Sequence, residues 1–439
     1  MTNLKRLLLK EITPQMNDET VSFGGWVHEL RDFGGLKFII LKDRTGILQL
    51  TLHKSSVSKD LMNLFNDLTK ESALFVEGKV QKSEKASGGR EVIPSKIEIL
   101  GRADAPTPID TSGKIESDLS VRLDWRFLDL RDPKKLALFK IRSKMFRLTS
   151  DFFDKEGFTC IQTPKITSAG VESGAELFPV KYFNRDAFLS QSPQMYKQMM
   201  VLAGFERVYE IGPVFRAEKS LTTRHLTEFT GVDFEMGFIE SHHDVMDVIE
   251  NYLKFLLSGL KKEVPEELAL FEVNPIVPKK IPRLEFKEIQ KILKGLGKIV
   301  PDNEDLDPEG ERMLSQYVLE KFNEEFVFCL NYPYNKRPFY HMKPQGEENG
   351  TKSFDLLWNG VEIATGAQRE HRIKVLSKQA EEKGIDFSKM NYYADMFRYG
   401  TIPHGGVGFG LDRLTQRLLK LNNIKEALLL PRDPERLTP

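Results

Sequence analysis

Cysteine is scarce in this chain of 439 residues, which contains only Cys160 and Cys329. The two are far apart and neither belongs to a Cys-x-x-Cys pair, so we expect neither a disulfide scaffold nor a zinc cluster. The histidines His53, His341 and the pair His242-His243 have no partner at metal-ligand spacing. That pattern favours solvated or packed histidines over metal ligands.

Net charge is also absent, since 64 basic residues balance 64 acidic ones. Any contact with nucleic acid must therefore be local. No apolar run approaches the ~20 residues of a membrane span, and Leu7-Leu8-Leu9 is too short for a signal peptide core. We expect a cytoplasmic protein. Its 40% hydrophobic residues are enough for a full core, and the length indicates two or three domains.

The most informative stretch runs from Arg207 to Glu240 and predicts two antiparallel strands joined by a basic polar loop. Because strand side chains alternate faces, Arg216 and Glu218 share one face of the first strand. One face of the second strand carries Phe229, Asp233 and Glu235. A sheet face with this mixture indicates a binding floor, and an exposed face with cross-strand ion pairs is the alternative.

The order Phe215-Arg216-Ala217-Glu218, then Arg224-His225, then Glu228-Phe229 resembles motif 2 of the class II aminoacyl-tRNA synthetases. The resemblance implies that Arg216 holds the ATP α-phosphate, that Glu218 binds the adenine amino group and that Phe229 stacks on adenine. A guanidinium fork suits phosphate geometry. It also implies that the loop residues Arg224 and His225 bind ATP.

The first hundred residues contain five strand-like runs, with a helical segment at 58–68 between the third and the fourth run. This order is typical of an OB-fold barrel, and another five-stranded barrel is the alternative. OB barrels bind single-stranded nucleic acid on aromatic and basic side chains. Gly25-Trp26-Val27, Arg31, Phe38 and Gln49 resemble the anticodon-binding domain of aspartyl-tRNA synthetases. That resemblance implies that Phe38 stacks on the middle anticodon base while Arg31 and Gln49 contact it; a core aromatic is the other interpretation of Phe38.

His28 bears on the choice of tRNA. Archaeal-type aspartyl enzymes that accept only the aspartate tRNA tend to carry Trp at the matching position, and those that also charge the asparagine tRNA tend to carry His. A second marker of the relaxed class, a proline between the last two strands, is not evident near Ala86-Ser87-Gly88. The resemblance therefore predicts relaxed tRNA choice on one of its two markers.

A Pro-rich connector opens at Ala105-Pro106-Thr107-Pro108 and predicts a hinge to about Arg131. Asp132-Pro133 then predicts a helix start, and the helix carries one apolar stripe. The stripe comprises Leu138, Ile141, Met145, Leu148 and Phe152. The helix, a strand from Phe158 and the closing Pro164 resemble motif 1, which implies a homodimer; a plain core helix is the alternative.

Two further segments resemble the aspartate-binding part of the family. Glu172, on a glycine-rich loop, matches the carboxylate that takes the substrate α-amino group, and a solvated loop acid is the alternative. Gln194 and Lys197 lie one turn apart on a helix that follows Ser192-Pro193. In aspartyl-tRNA synthetases the matching Lys pairs with the substrate side-chain carboxylate, whereas asparaginyl enzymes usually carry Glu there.

In residues 354–372, Asp355 and Glu362 flank a short turn, and we expect the two carboxylates to stand opposite each other on a hairpin. Such a pair beside phosphate suits Mg²⁺, and surface acids are the alternative. The run from Val361 to Arg372 resembles the archaeal-type aspartyl family. There Arg369 matches the Arg that binds the aspartate side chain, and Thr365, often Ser in the family, falls within the aspartate and Mg²⁺ sites.

Gly408-Phe409-Gly410-Leu411-Asp412-Arg413 resembles motif 3, in which Gly410 lets ATP lie against the strand and Arg413 grips the γ-phosphate. The resemblance also extends to the tail from Leu430 to Pro439. We therefore expect an α+β protein that belongs to the class IIb synthetases, with a six-stranded antiparallel catalytic sheet flanked by helices. The expected parts are an OB-fold at 1–105, a hinge at 106–131 and a catalytic domain at 132–439 with a mixed insertion at about 241–343.

The resemblance implies an archaeal-type aspartate–tRNA ligase that uses ATP and Mg²⁺ and binds L-aspartate and tRNA(Asp). Arg216, Arg413 and Lys197 are the expected catalytic residues. The aspartate site comprises Glu172, Gln194, Lys197, Arg216, Asp233, Thr365 and Arg369. Three alternatives are an asparaginyl-tRNA synthetase, a stand-alone paralogue that acts on a free amino acid and a catalytically inactive RNA-binding relative.

Overall fold

The structure is a computed structural model that describes residues 5–113, 115–168, 177–219, 222–347 and 349–439. The chain divides into two compact units, Met1–Ala137 and Leu138–Thr438. Glu172, expected at the aspartate site, lies outside the described residues. Within them, no helix has the length and apolar character that crossing a bilayer requires.

The first unit is built on a six-stranded sheet in which β2, β3, β4, β6 and β5 pair in a ring, because β5 also pairs with β2. One helix, α1 (Lys59–Leu64), lies between β4 and β5, so the predicted OB-fold order is confirmed. Leu48, Leu50 and Leu52 alternate into the core, as a half-buried strand requires. The strands are β1 Arg6–Leu7, β2 Thr20–Asp32, β3 Leu36–Asp43, β4 Gly46–His53, β5 Ala73–Lys82 and β6 Arg90–Gly101.

The connector predicted as a hinge falls within the first unit and contains the short helices α2 (Leu119–Asp124) and α3 (Arg126–Asp129). Buried Glu71 ties it to the barrel. This carboxylate accepts hydrogen bonds from Thr111 Oγ1 at 2.5 Å and Arg131 Nη1 at 2.8 Å, and from Lys42 Nζ of the barrel at 2.5 Å. Motion at this segment stays a prediction.

The second unit is built on an eight-stranded sheet in the order β13-β14-β15-β16-β17-β12-β11-β7. Its six central strands pair antiparallel, as predicted, while the short edge strands β13 and β7 pair parallel and make the sheet mixed. The strands are β7 Thr159–Cys160, β11 Arg207–Phe215, β12 Glu228–Gly237, β13 Arg283–Glu285, β14 Phe326–Leu330, β15 Ser353–Trp358, β16 Glu362–Gln368 and β17 His404–Gly410. A separate three-stranded sheet contains β8 Ile166–Thr167, β9 Pro179–Tyr182 and β10 Arg185–Leu189.

Two long helices cover one face of the large sheet. Helix α4 (Pro133–Lys155) begins where predicted, with the amide of Lys134 donating to Asp132 Oδ1, and its apolar stripe is buried. Helix α6 (His242–Glu263) begins at a capping box between Ser241 and Asp244. Both helices pack on side chains such as Val232 and Phe234 of β12. Since strand residues alternate, Asp233 and Glu235 point to the other face.

Among its described residues, the second unit contains seven more α-helices. They are α5 Gln194–Met200, α7 Pro265–Ala269, α8 Phe286–Gly295, α9 Pro308–Phe322, α10 Ile373–Glu382, α11 Asn391–Ala394 and α12 Leu411–Leu418. Helices α8 and α9 lie in the segment predicted as an insertion and pack with β14 and β15 around buried Leu314 and Val327.

Candidate functional site

A cavity of about 430 Å³ lies on the polar face of the large sheet. It brings together most of the residues that the sequence assigned to ATP, aspartate and metal. Those that line it are Gln194, Arg216, Glu218, Arg224, His225, Phe229, Asp233, Glu362, Thr365, Arg369, Gly410 and Arg413. Lys197 and Asp355 are not among the lining residues, and Lys197 Nζ lies 2.9 Å from Asp233 Oδ2.

The deepest part of the site is a buried cluster of two cations and two carboxylates. Lys197 Nζ lies 2.9 Å from Asp233 Oδ2 and 3.4 Å from Glu235 Oε2. Arg369 donates to both oxygens of Glu235, from Nε at 2.9 Å and from Nη2 at 3.2 Å. Both cations are 2% exposed. Buried charges of this density are tolerated because each is paired.

Glu235 joins the two cations. Burial alone would raise the pKa of its carboxyl, but the charges of Arg369 and Lys197 lower the pKa below the usual value, so the group stays ionised. The sequence placed Glu235 on this face without giving it a role. Gly406 leaves the space for it, since a Cβ at that position would lie 2.2 Å from Glu235 Oε2 and from the Phe234 carbonyl oxygen.

His341 contacts the same cluster, which sequence analysis missed. The prediction of a packed histidine is right, because His341 is 2% exposed. Its Nε2 lies 3.2 Å from Arg369 Nη1, and burial together with the Arg369 charge holds its pKa well below the usual value. A neutral imidazole can therefore accept a hydrogen bond from the guanidinium at Nε2. No sequence signal links the two residues, which are 28 positions apart.

Gln194 lines the cavity one helical turn from Lys197. Its side chain is 5% exposed, and its amide nitrogen Nε2 has no hydrogen-bond partner within the described ranges. A buried donor without a partner is costly, so this nitrogen is suited to a polar ligand atom. The amide of Gln194 itself donates to Ser192 Oγ at 3.1 Å, which fixes the start of α5.

Arg216, Glu218 and Phe229 line one part of the cavity. The Arg216 guanidinium lies 5.4 Å from the centre of the Phe229 ring and 3.9 Å from Glu218. Strand β11 ends at Phe215, so Arg216 and Glu218 lie just beyond the strand on which the sequence placed them. The Arg216 amide still donates to the Thr227 carbonyl at 2.9 Å, which holds it beside β12.

Arg413 and His225 also line the cavity. Arg413, in the first turn of α12, donates from Nη1 to the Glu362 carbonyl at 3.1 Å. His225 Nδ1 lies 2.6 Å from Thr222 Oγ1. Burial, and then the charge of Arg413, lowers the pKa of His225. A cationic group of hydrogen-bond donors such as this one suits the terminal phosphates of a nucleotide.

The hairpin of β15 and β16 differs from the prediction that Asp355 and Glu362 stand opposite each other. Asp355 pairs with Thr365, and Glu362 pairs with Leu357, because a bulge shifts the register between Leu356 and Leu357. Without the bulge, side chains three positions apart would face opposite sides. With it, Glu362 and Thr365 meet, and Thr365 Oγ1 donates to Glu362 Oε1 at 3.1 Å.

Asp355 has a partner that the sequence did not reveal. Arg337 donates to both of its carboxylate oxygens, at 3.0 and 2.6 Å, and both side chains are buried. Burial, and then the charge of Asp355, raises the pKa of Glu362. This part of the cavity is therefore rich in negative charge, which a cation would relieve.

Glu362 and Thr365 fit a Mg²⁺ that takes most of its ligands from phosphate and water. Where the structure describes the chain, no three His, Cys, Asp or Glu side chains form a cluster that could hold a metal. An all-protein cage is not what Mg²⁺ needs beside a nucleotide, since this ion keeps several water ligands. Both oxygens of Asp355 accept hydrogen bonds from Arg337, and Asp355 is not among the residues that line the cavity.

The first unit contains the four residues predicted to bind the anticodon. Arg31 pairs with Phe38, Phe38 pairs with Thr51, and Gln49 lies two positions from Thr51, so Arg31, Phe38 and Gln49 share one sheet face. Phe38 is half-buried beside the exposed Phe33, with ring centres 6.2 Å apart. Arg31 and Gln49 hydrogen-bond to Glu29 and Glu91.

His28 is the extra residue of a bulge in β2 between Val27 and Glu29. Its Nδ1 is buried and has no partner in the part of the chain that the structure describes. Burial, and then the charge of Lys42, lowers the pKa of His28. The bulge separates His28 from the alternation that places the other three residues on one face.

Residues 118–434 match the family of class II tRNA synthetases (D, K and N), and residues 21–100 match the OB-fold nucleic acid binding domain. The chain therefore belongs to the class II tRNA synthetases, a family of aminoacyl-tRNA ligases that use ATP. The family assignment agrees with the antiparallel sheet described above.

Individual proteins similar to this chain give a more specific comparison than the family model does. The chain is 46% identical to an aspartate–tRNA(Asp) ligase of Pyrococcus abyssi, over 98% of each chain. It is 47% identical to an aspartate–tRNA(Asp/Asn) ligase of Methanopyrus kandleri, over 99% of this chain and all of that one. It also resembles the asparaginyl-tRNA synthetase of Pyrococcus horikoshii complexed with asparaginyl-adenylate, with a TM-score of 0.93 and 31% identity over 99% of this chain and all of that one.

Proposed function

We propose that this protein is an aspartate–tRNA ligase. It activates L-aspartate with ATP to aspartyl-adenylate and pyrophosphate, and then transfers the aspartyl group to the 3′-terminal ribose of tRNA(Asp). The observation that carries the proposal is the pair of buried cations, Lys197 and Arg369, that share Glu235 beneath the cavity. Relatives named as aspartate–tRNA ligases over nearly the full length support it.

Charge exchange explains the preference for aspartate over asparagine. Lys197, Arg369, Asp233 and Glu235 together carry no net charge, and Asp233 is the nearest carboxylate to Lys197. When Asp233 turns to the ammonium group of the ligand, the ligand's distal carboxylate replaces it at Lys197. A neutral amide cannot do so, which leaves a buried cation short of a partner.

The group formed by Arg216, Glu218 and Phe229 binds the nucleoside and the α-phosphate. Phe229 stacks on adenine, Glu218 accepts from the adenine amino group and Gly410 forms part of the wall. The aspartate α-carboxylate attacks the α-phosphorus, and the bond to the β,γ-diphosphate breaks with its electron pair on the leaving oxygen. Arg216 neutralises charge at the α-phosphate, so the protein contributes positioning and electrostatics and needs no nucleophile of its own.

A second group, formed by Arg413, Arg224 and His225, holds the leaving pyrophosphate. Arg413 and Arg224 supply guanidinium groups, and His225, whose lowered pKa keeps it neutral, supplies a hydrogen bond. Glu362 and Thr365 are the proposed Mg²⁺ residues, with Asp355 as a buried anion behind them. A bound Mg²⁺ would neutralise phosphate charge there.

The remaining roles rest on the resemblance. Glu172, with Asp233, is proposed for the substrate ammonium group, and Gln194 presents its free amide nitrogen to the ligand. Arg31, Phe38 and Gln49 are proposed for the anticodon, and His28 for relaxed tRNA choice that includes tRNA(Asn). The homodimer and the cytoplasmic location stay predictions.

ATP–pyrophosphate exchange, measured with aspartate and with asparagine, tests the proposal. We expect exchange with aspartate and at least a hundredfold less with asparagine, on the order of the discrimination that unpaired buried groups provide. Lys197→Ala should lose both activity and selectivity. Exchange that favours asparagine would instead identify an asparaginyl-tRNA synthetase.

A chain without exchange for either amino acid would be an inactive RNA-binding relative. The presence of Arg216, Glu218, Glu362 and Arg413 in one cavity argues against that outcome. Exchange without transfer to tRNA would favour a paralogue that activates a free amino acid, against which the OB-fold domain argues.

A further inference from the structure

An ion pair joins the loop between β11 and β12 to helix α9, 87 positions away. Arg224 Nη1 lies 3.1 Å from Glu311 Oε2, and Arg224 Nη2 donates to the Gly360 carbonyl at 3.4 Å. The two charged side chains are largely shielded, with 24% and 12% of their surfaces exposed. Arg224 lines the cavity, whereas Glu311 is not among the lining residues.

Helix α9 fixes both anchors of this arginine. Asp307 caps the helix by accepting from the Gly310 amide at 2.7 Å, which places Glu311 in the first turn, where the helix dipole favours a carboxylate. Ser315, one turn further along, accepts from the Gly360 amide at 2.8 Å. The segment to which the sequence assigned no chemistry therefore sets the position of a nucleotide-facing arginine.

Backbone contacts anchor the loop beside Arg224. The Thr223 carbonyl accepts hydrogen bonds from the Ile424 amide at 3.0 Å and from Gln416 Nε2 at 3.2 Å. These contacts fix the chain near Arg224 but leave its long side chain to be oriented by Glu311 and Gly360. An arginine loses considerable rotamer freedom when it binds phosphate, so orientation in advance favours binding.

The surroundings of Glu311 disfavour its ionised form, and Arg224 opposes that effect. Burial, and then the negative charge of Glu362, raises the pKa of Glu311 to about 7. The nearby Arg224 guanidinium opposes this effect and favours the carboxylate. Arg224 therefore offsets part of the cost of ionising Glu311 in this shielded position, and the geometry of the contact is what ties the two side chains together.

We propose that Glu311 is a positioning residue that holds Arg224 toward the terminal phosphates of ATP. The inference rests on the proposed function, because it takes Arg224 as an ATP-binding residue. Glu311 acts through the arginine and does not touch the nucleotide. Its loss should therefore weaken ATP binding while leaving the aspartate site intact.

ATP–pyrophosphate exchange by the full chain tests this, with Glu311→Gln, Glu311→Ala, Arg224→Ala and the double variant Arg224→Ala/Glu311→Ala. We expect each single variant to raise the KM for ATP by roughly tenfold, as for loss of a hydrogen bond to a charged group, with the KM for aspartate unchanged. The double variant should be no worse than Arg224→Ala, since the two residues act as one unit. Glu311→Gln keeps the shape of the side chain and serves if Glu311→Ala fails to fold.

Glu309→Gln is the matched control, because Glu309 lies in the same helical turn, is exposed and pairs with Lys298. It should leave the KM for ATP unchanged. The proposal is overturned if the Glu311 variants match the wild type while Arg224→Ala is impaired, or if Glu311→Ala has its full effect in the Arg224→Ala background. An unchanged KM for ATP in Arg224→Ala would refute the ATP placement itself, which the Glu311 variants alone would not.

Discussion

Arg369 grips the carboxylate of Glu235 with two hydrogen bonds, and neither residue is more than 2% exposed. The pair orients a guanidinium whose remaining nitrogen, Nη1, faces His341. Glu235 is therefore as important for the position of the Arg369 guanidinium as the chain segment that carries Arg369.

Glu235→Gln should raise the KM for aspartate by at least about tenfold, because it leaves Arg369 and Lys197 without their shared anion. It should also lower the free energy of unfolding by about 3–5 kcal/mol, the usual cost of breaking a buried ion pair. Exchange kinetics and chemical denaturation measure the two effects. Glu240→Gln, at an exposed position just beyond the same strand, is the control, and a Glu235→Gln protein with wild-type kinetics would refute the role.

Arg216→Ala should slow adenylate formation by about a hundredfold, or ~3 kcal/mol of barrier, since it removes the proposed α-phosphate contact. Single-turnover formation of aspartyl-adenylate is the measurement. Arg185→Ala removes an exposed arginine from β10 and should be neutral. A fully active Arg216→Ala protein would remove this residue from the proposed chemistry.

His28→Trp should reduce charging of tRNA(Asn) relative to tRNA(Asp) by about tenfold, because a larger ring at the bulge of β2 would narrow the choice of anticodon. Aminoacylation of both purified tRNAs gives the ratio. The wild type is expected to charge both. If it charges only tRNA(Asp), the prediction of relaxed choice from His28 is wrong.

The pH dependence of stability should include a contribution from His242. Burial, and then the neighbouring His243, lowers the pKa of His242 to about 3. Between that value and about 6.5, the unfolded chain binds a proton that the folded protein does not, so stability rises with pH across this window. The contribution is fully present above about pH 6.5 and is lost as the pH falls.

His242→Gln, which does not titrate, isolates this contribution. The difference in the free energy of unfolding between wild type and variant should change by about 1.4 kcal/mol between pH 7.5 and pH 5.5, in favour of the variant at the lower pH. Urea denaturation at both pH values measures it. An equal difference at the two pH values would show that His242 gains no proton on unfolding.

Local patterns predicted much of this molecule. Alternation in Leu48, Leu50 and Leu52 and the Asp132-Pro133 helix start are read from a few neighbouring residues, and the structure has both. The strand from Phe158 was harder, because only Thr159–Cys160 pair with a neighbour at the sheet edge. Edge pairing depends on residues distant in the chain.

The parts of the site that could not be predicted are long-range contacts and one irregularity. Arg337 reaches Asp355 across 18 positions, and Glu311 reaches Arg224 across 87. No periodicity encodes such pairs. The sequence pattern does not indicate the bulge at Leu356 and Leu357 either, since a shift in pairing register depends on the partner strand.

Gly406 has a consequence for how mutations in this protein will be interpreted. The residue has no functional group, yet any substituent on its α-carbon would occupy the space of Glu235 and of the Phe234 backbone. Random mutagenesis would therefore mark it as intolerant, alongside residues that meet the substrate. Intolerance at Gly406 would reflect loss of the space that the Glu235 carboxylate occupies. A redesign of amino acid specificity must therefore keep glycine at this position.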